Sequence, residues 1–291
     1  MIQLLKERAS SAIVFLKGYG EFSRRIKRRH RIFWNAPDAE IVRNTKMSAS
    51  DPIEKWRDAV YWQRKLSNKH NAREFAQLHG CKVPALYWKG RDLGNLNFDA
   101  LPPQYVIRPT IGHSCDKVFL MNQGVNLMDR QAYSETALRE IMGNALMQNP
   151  YQEFLVEEFL RTEEGEYKIP KDYKFYMFNG DVARIEIIDR LGPSEGYTSY
   201  YTENWEQMDN IGTKYGKAAC QPPPLCLNDL IGHAKALSKS YELFVRIDFY
   251  ATDQGAVFGE FTPTPGSGKC FTPDADRMFT DYWNKSCRGM L

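Results

Sequence analysis

The chain has 291 residues, of which 43% are hydrophobic and 13% aromatic, and its formal net charge is +3. That length allows one large domain or two to three small ones, and that composition excludes a disordered chain. No run of about 18 apolar residues occurs, which argues against a membrane-spanning helix.

Residues 1–50 are expected to form a basic, helical N-terminal extension. Positions 24–31 read RRIKRRHR and hold six Lys/Arg; without them 33 basic residues stand against 36 acidic ones, so the body is mildly acidic. Ile2, Leu4, Leu5, Ile13, Phe15, Leu16 and Phe22 are interleaved with Lys6, Arg8 and Lys17. Two readings stay open: a helix in which residues 1–35 lie on an anionic membrane surface, or a helix packed on the body or left as an arm. Nucleic acid is the weaker partner, because no basic stripe carries aromatic stacking positions. The apolar piece Ala12–Leu16 is short and a basic cluster follows it, so no cleavable signal is expected. The expected place is the cytoplasm, peripheral on the inner face of the membrane where the N-terminal segment binds it.

Residues 51–104 form a second region and 105–291 the catalytic one. Asp51-Pro52-Ile53-Glu54 reads as a helix start, with the helix running to about Leu66. A further helix covers Ala72–Leu78, Lys82–Tyr87 reads as a strand, and Arg91–Pro103 as a loop. From Tyr105 strands dominate: Tyr105–Arg108, Val118–Met121, and Phe154–Phe159 after a helix over Ser134–Gln148. Asn179-Gly180 closes a hairpin between Asp172–Phe178 and Asp181–Asp189. After a loop-rich stretch over 190–224, Asn228 is the expected cap of a helix.

The chemistry concentrates in residues 244–268, FVRIDFYATDQGAVFGEFTPTPGSG. Two apolar runs flank the turn Thr252–Gly255, the pattern of an antiparallel hairpin. Strand alternation puts Arg246 with Asp248 on one face, and Glu260 with Thr262 on one face of the partner. Asp248 then lies roughly opposite Glu260. Facing carboxylates repel unless a cation intervenes, and a divalent metal answers that need; an ion pair with Arg246 and Lys269 is the plainer alternative. The Pro263–Gly268 run offers backbone N–H groups nearby. The six cysteines, Cys81, Cys115, Cys220, Cys226, Cys270 and Cys287, form no CxxC pair, so reduced thiols are expected in place of a zinc site.

Four stretches, YVIRPTIGHS, FLVEEFL, DYKFYMFNGDV and RIDFY…GEFTPTPGSG, resemble the TupA-like ATP-grasp family, associated with cell-surface polysaccharide and teichuronopeptide synthesis. The resemblance covers roughly residues 65–280. It implies an α+β ATP-grasp fold, two subdomains clasping a nucleotide, with ATP and Mg²⁺ as cofactors. It also implies that Arg108 stands where relatives place a phosphate-binding lysine, that His113 and Ser114 lie in the phosphate loop, and that Glu157-Glu158 mark the hinge whose backbone groups hydrogen-bond adenine. Lys174 is implied to contact phosphate and Asp172 to reach the ribose, with Arg184, Glu186 and Arg190 on the paired strand either in the same cleft or on an outer face. Asp248 and Glu260 are the implied metal ligands, with Thr262 where the superfamily commonly has asparagine. Arg246 is implied to steady the substrate carboxylate.

The activity implied is ATP-dependent carboxylate–amine ligation through an acyl phosphate, joining an amino acid or amine to a glycan or uronic-acid acceptor. An ATP-dependent kinase of a sugar or lipid-linked glycan, and a nucleotide-binding interaction module, are the alternatives.

Overall fold

A computed structural model describes residues 20–112, 114–193, 195–209, 215–269 and 271–287. The chain opens with helices α1 (Glu21–Asn35), α2 (Ala39–Arg43), α3 (Ile53–Trp56) and α4 (Lys69–Leu78). Strands β1 (Leu86–Gly90), β2 (Gln104–Pro109), β3 (Phe119–Asn122), β4 (Val125–Asn126) and β5 (Gln131–Ala132) follow. After helix α5 (Glu135–Gln148) come β6 (Phe154–Glu158), β7 (Asp172–Phe178), β8 (Asp181–Arg190), β9 (Gly196–Tyr201), β10 (Gln207–Met208) and β11 (Gly216–Lys217). Helix α6 (Leu227–Tyr241), the hairpin β12 (Phe244–Thr252) and β13 (Gly255–Thr262), and helix α7 (Pro273–Ser286) complete the described chain.

The strands form two sheets. The smaller has the order β1-β6-β2-β3-β4-β5, and α5 covers it through Leu138 and Met142 packed on Ile107, Met121, Phe154 and Val156. The larger has the order β10-β9-β8-β7-β12-β13, with β11 beside β9. Strand alternation divides its two faces. Phe175, Met177, Val245, Ile247 and Phe249 face a core shared with Phe75 of α4 and Leu230, Ala234 and Leu237 of α6. Tyr176 and Phe178 turn the other way and meet α1 and α7 through Phe22, Ile26, Phe279 and Trp283. On that second face, ahead of the aromatic cluster, lie Asp172, Lys174, Arg246 and Asp248, where they line a cleft between the sheets. The fold is the expected α+β arrangement.

The N-terminal helix belongs to this body. Phe22, Ile26 and Phe33 are fully buried, and burying each such side chain contributes about 2 kcal/mol. Asp276 of α7 caps α1, accepting from the backbone N–H of Phe22 (3.0 Å) and Ser23 (2.9 Å) and from the Ser23 hydroxyl (2.6 Å). A Cβ on residue 20 would sit 2.1 Å from that carboxylate and displace the cap, which favours glycine there. Within RRIKRRHR, Arg29 turns inward, donating to the Phe244 carbonyl at 2.8 Å and stacking over Trp283, while Lys27, Arg28 and Arg31 stay exposed. Phe22 therefore faces the core and not a membrane. The other apolar residues of that reading, Ile2 to Leu16, lie outside the described residues.

Four local expectations are corrected. The helix expected to reach Leu66 stops at Trp56; Tyr61 adopts a left-handed conformation (φ 55°) and a 3₁₀ turn covers Trp62–Ser67. Asp51 sits outside the helix and pairs with Lys55. The strand expected at 82–87 begins at Leu86, with Lys82 contributing only an isolated bridge to Val257. Cys226, not Asn228, precedes α6.

Candidate active site

The hairpin β12–β13 builds the floor of the cleft. Its pairing starts at Thr252↔Gly255, a register that by simple counting would set Asp248 opposite Gly259. A bulge at Gly259 adds one residue and brings Glu260 opposite Asp248. Only glycine fits there, because a Cβ would lie 2.9 Å from the Asp248 carbonyl oxygen.

A row of alternating charges crosses the floor from β8 to β13. Arg190 donates to Asp172 at 2.5 Å, and Lys174 lies 3.4 Å from Asp172 and 2.5 Å from Asp248. Arg246 grips Asp248 with two bonds, Nε to Oδ1 at 2.7 Å and a terminal nitrogen to Oδ2 at 2.8 Å. The same guanidinium donates to the Thr262 hydroxyl at 2.9 Å and lies 3.6 Å from Glu260. Burial opposes the charges of Asp172, Lys174, Arg190 and Arg246, and their neighbours outweigh it. Asp172 is pushed up by burial but drawn below the usual carboxylate range by Lys174 and Arg190. Lys174 is lowered by burial but held above the usual lysine range by Asp172 and Asp248. Arg246 is raised in the same way by Asp248. Glu260 is the loosest member, its side chain 35% exposed and its nearest cations 3.6 and 3.7 Å away.

The opposite wall comes from the smaller sheet and α4. Arg108 on β2 donates to Glu157 on β6 at 2.5 Å and reaches the Gly259 carbonyl at 3.5 Å. Arg73 of α4 grips the other oxygen of Glu157 at 2.5 Å. Lys69, the first residue of α4, spans the gap: its Nζ donates to the Gly112 carbonyl at 3.1 Å and lies 3.7 Å from Glu260. Its backbone N–H is also bonded to Thr110, at 2.9 Å. Burial lowers the Lys69 ammonium's pKa despite nearby Glu260. The cavity measures about 910 Å³, and Lys69, Arg108, Lys174, Arg190 and Arg246 all border it. Such a concentration of cations around two facing carboxylates suits a polyphosphate with its metal.

The family model described as TupA-like ATPgrasp matches residues 53–284 of the chain. The chain belongs to the TupA-like ATP-grasp family. No curated protein matches it by sequence. Among solved ATP-grasp structures it is similar to the D-alanine–D-alanine ligase of Bacillus anthracis complexed with ATP, at 14% identity and TM-score 0.48, covering 76% of this chain and 65% of that one. It is also similar to the L-amino acid ligase of Bacillus licheniformis, at 14% identity and TM-score 0.46, covering 74% and 48%. A third is the ATP-grasp ligase PsnB complexed with a phosphomimetic variant of its minimal precursor, Mg and ADP, at 13% identity and TM-score 0.44, covering 79% and 65%. The chain thus spans about half to two thirds of the length of these structures, and the family match carries the assignment.

Within this ATP-grasp cleft the structure brings together Arg108, Ser114, Glu157, Glu158, Asp172, Lys174, Arg246, Asp248, Glu260 and Thr262, all bordering one cavity. His113 lies outside the described residues. Three of these side chains are held by other residues of the protein. The Glu157 carboxylate is fully buried between Arg73 and Arg108, and so holds Arg108 in place. Glu158 accepts from the Ala85 N–H at 3.0 Å and from Gln254 at 2.7 Å, and its own N–H is bonded to Ala85. Phe159 and Leu160, next along the chain, border the cavity together with Glu157 and Glu158. Asp172 is engaged by Arg190 and Lys174. Glu186 and Arg190 join the cleft, whereas Arg184 is buried over the rings of Tyr200 and Phe279.

Sequence reasoning missed Lys69 and Arg73. Their four-residue spacing at the edge of the apolar face of α4, beside Ala72 and Ala76, was the available signal. Lys69, not Lys269, is the lysine at Glu260.

Proposed function

We propose that the chain is an ATP-dependent carboxylate–amine ligase that joins an amino acid or amine to a uronic-acid glycan or its precursor. The observation that carries the reading is the cation-lined cleft around Asp248 and Glu260; family membership supports the ATP dependence. Arg108, fixed by Glu157, and Lys174 hold phosphate oxygens, and Ser114 lies in the loop that closes over them. Arg246 and the backbone of Gly266–Gly268 steady the substrate carboxylate and the oxyanion that develops when the amine attacks its acyl phosphate.

The donors present fit a magnesium ion. Mg²⁺ takes one or two carboxylates beside phosphate oxygens. Among the described residues, Glu260 faces the cavity with no hydrogen bond closer than its two loose ion pairs, and Asp248 Oδ1 accepts from Arg246 alone, which leaves it a lone pair. Glu260 and Asp248, with Thr262 beside them, would hold the ion, which when bound offsets charge on the phosphates. We assign membrane attachment, on the cytoplasmic side, to the exposed Lys27, Arg28 and Arg31 together with the chain ahead of residue 20. Among the described residues no helix is long and apolar enough to cross a membrane.

The decisive experiment incubates the chain with Mg-ATP, single amino acids and uronic-acid oligosaccharides. ADP, free phosphate and an amide-linked product by mass spectrometry are expected. ADP with a phosphorylated acceptor and no free phosphate would overturn ligation in favour of a kinase.

A further inference from the structure

Glu186 stands apart from the row of charges on the same floor. It sits on β8 opposite Lys174, which sits opposite Asp248 on β12, so the three are cross-strand neighbours in one line. At the usual strand spacing Glu186 is about 10 Å from Asp248, a span that a nucleotide's terminal phosphate and a small substrate would share. Its side chain borders the cavity and is only 8% exposed.

What distinguishes it is its set of partners. The Tyr176 hydroxyl donates to Oε2 at 2.9 Å and the Tyr200 hydroxyl to Oε1 at 3.2 Å. The Thr198 hydroxyl lies 3.4 Å from Oε1, but its one proton has a better acceptor in the Ile187 carbonyl at 3.0 Å. Among the described residues Glu186 forms no ion pair. The cations nearest along the floor are committed elsewhere: Lys174 to Asp172 and Asp248, Arg190 to Asp172, Arg246 to Asp248. Arg184, two residues away, feels the charge of Glu186 but lies over the rings of Tyr200 and Phe279 and, among the described residues, gives Glu186 no hydrogen bond. Burial and the neighbouring carboxylate hold both tyrosine hydroxyls well above their ordinary pKa, so both remain donors.

A carboxylate withdrawn from water without a cation is costly, and two neutral hydroxyls offset only part of that cost. With one firm donor on each oxygen, Glu186 retains lone pairs for a further partner. We infer that Glu186, held by the hydroxyls of Tyr176 and Tyr200, is the seat for the ammonium group of the amine substrate. This rests on the ligase reading and narrows it: the amine enters as a cation, and a neutral or anionic nucleophile of the same size is discriminated against at this position. A charge-assisted hydrogen bond in a confined cleft supplies that discrimination.

The test uses the full chain at pH 7 and two probes of equal size, L-alaninamide, which carries an ammonium, and L-lactamide, which carries a hydroxyl in its place. The protein is first titrated calorimetrically with Mg²⁺ and a non-hydrolysable ATP analogue, then with each probe. The wild type is expected to bind L-alaninamide about 10-fold more tightly than L-lactamide, with Glu186→Gln abolishing the preference and leaving nucleotide affinity unchanged. Glu186→Asp, which keeps the charge but draws it back by one methylene, is expected to retain a reduced preference; it serves should Glu186→Gln fail to fold. Nucleotide binding with no preference between the probes, or a preference undiminished in both variants, overturns this inference and leaves the ligase reading standing. Absence of nucleotide binding by the wild type overturns the ligase reading and the inference together.

Discussion

Asp248→Asn separates the two duties assigned to that carboxylate. In the structure Asp248 receives three charge-assisted hydrogen bonds, two from Arg246 and one from Lys174. Asparagine keeps one acceptor for Arg246 but turns an amide N–H₂ toward Lys174, setting donor against donor. Removing one partner of a buried pair costs about 3–5 kcal/mol, and here the loss is softened to about 2–3 kcal/mol because other acceptors remain. Lys174 keeps Asp172 at 3.4 Å, and Arg246 keeps Thr262 at 2.9 Å and Glu260 at 3.6 Å. For a chain of this size that corresponds to a melting temperature lower by about 4–12 °C. The same change frees two cations for phosphate. Metal-free ATP is therefore expected to stabilise the variant at least as strongly as the wild type, while the extra stabilisation on adding Mg²⁺ disappears. Thermal melts with no addition, with ATP, and with ATP plus Mg²⁺ report both effects. A fall of less than about 1 °C would refute the role of Asp248 in holding the two cations. An undiminished Mg²⁺ increment would refute its role in metal binding.

Three further outcomes are expected. Glu157→Gln leaves Arg73 and Arg108 without their shared carboxylate in a fully buried position, so it costs about 3–5 kcal/mol, more than Asp248→Asn, in a denaturant melt, and weakens ATP binding. Lys69→Ala detaches the loop around Gly112 from α4, which is read as faster amide exchange over 110–116 and weaker ATP binding. Because burial lowers the Lys69 pKa, its charge is present at low pH and lost as pH rises, starting below the ordinary lysine value; ATP affinity falls along that alkaline limb, and Lys69→Arg removes the limb. Asp276→Ala deletes the cap of α1 and costs about 1–2 kcal/mol by calorimetry, with no change in ATP affinity.

Legibility followed the range of the forces. Asn179 and Gly180 take positive φ of 48° and 97°, so the turn between β7 and β8 was written in two residues. The facing of Asp248 and Glu260 was legible from alternation and turn position, although the bulge at Gly259 that completes it was not: its cause is a contact between backbone atoms, invisible in a string of residue types. The local pattern around Pro52 suggested one long helix, but the left-handed Tyr61 breaks the chain so that Trp56 and Trp62 can both reach the core beside Phe75. Side-chain engagement was the hardest to read. Glu157, Asp172 and Lys69 have the residue types a nucleotide site requires, yet their partners arrive from elements up to 191 positions away. Whether an acid meets a ligand or an arginine is decided by that tertiary arrangement.

The cap that Asp276 places on α1 also bears on how the protein is made. Helix α1 leaves the ribosome early, but the aromatic surface that receives it is assembled from Phe244, Phe279 and Trp283, which emerge more than 200 residues later. Until those residues emerge, Phe22 and Ile26 have no partner surface on α7. Contacts of such long sequence separation form late and slowly, and exposed apolar faces on nascent chains invite aggregation. The run of basic residues on the opposite side of α1 keeps that waiting helix in water, a use for its charge that holds whatever surface the finished protein meets.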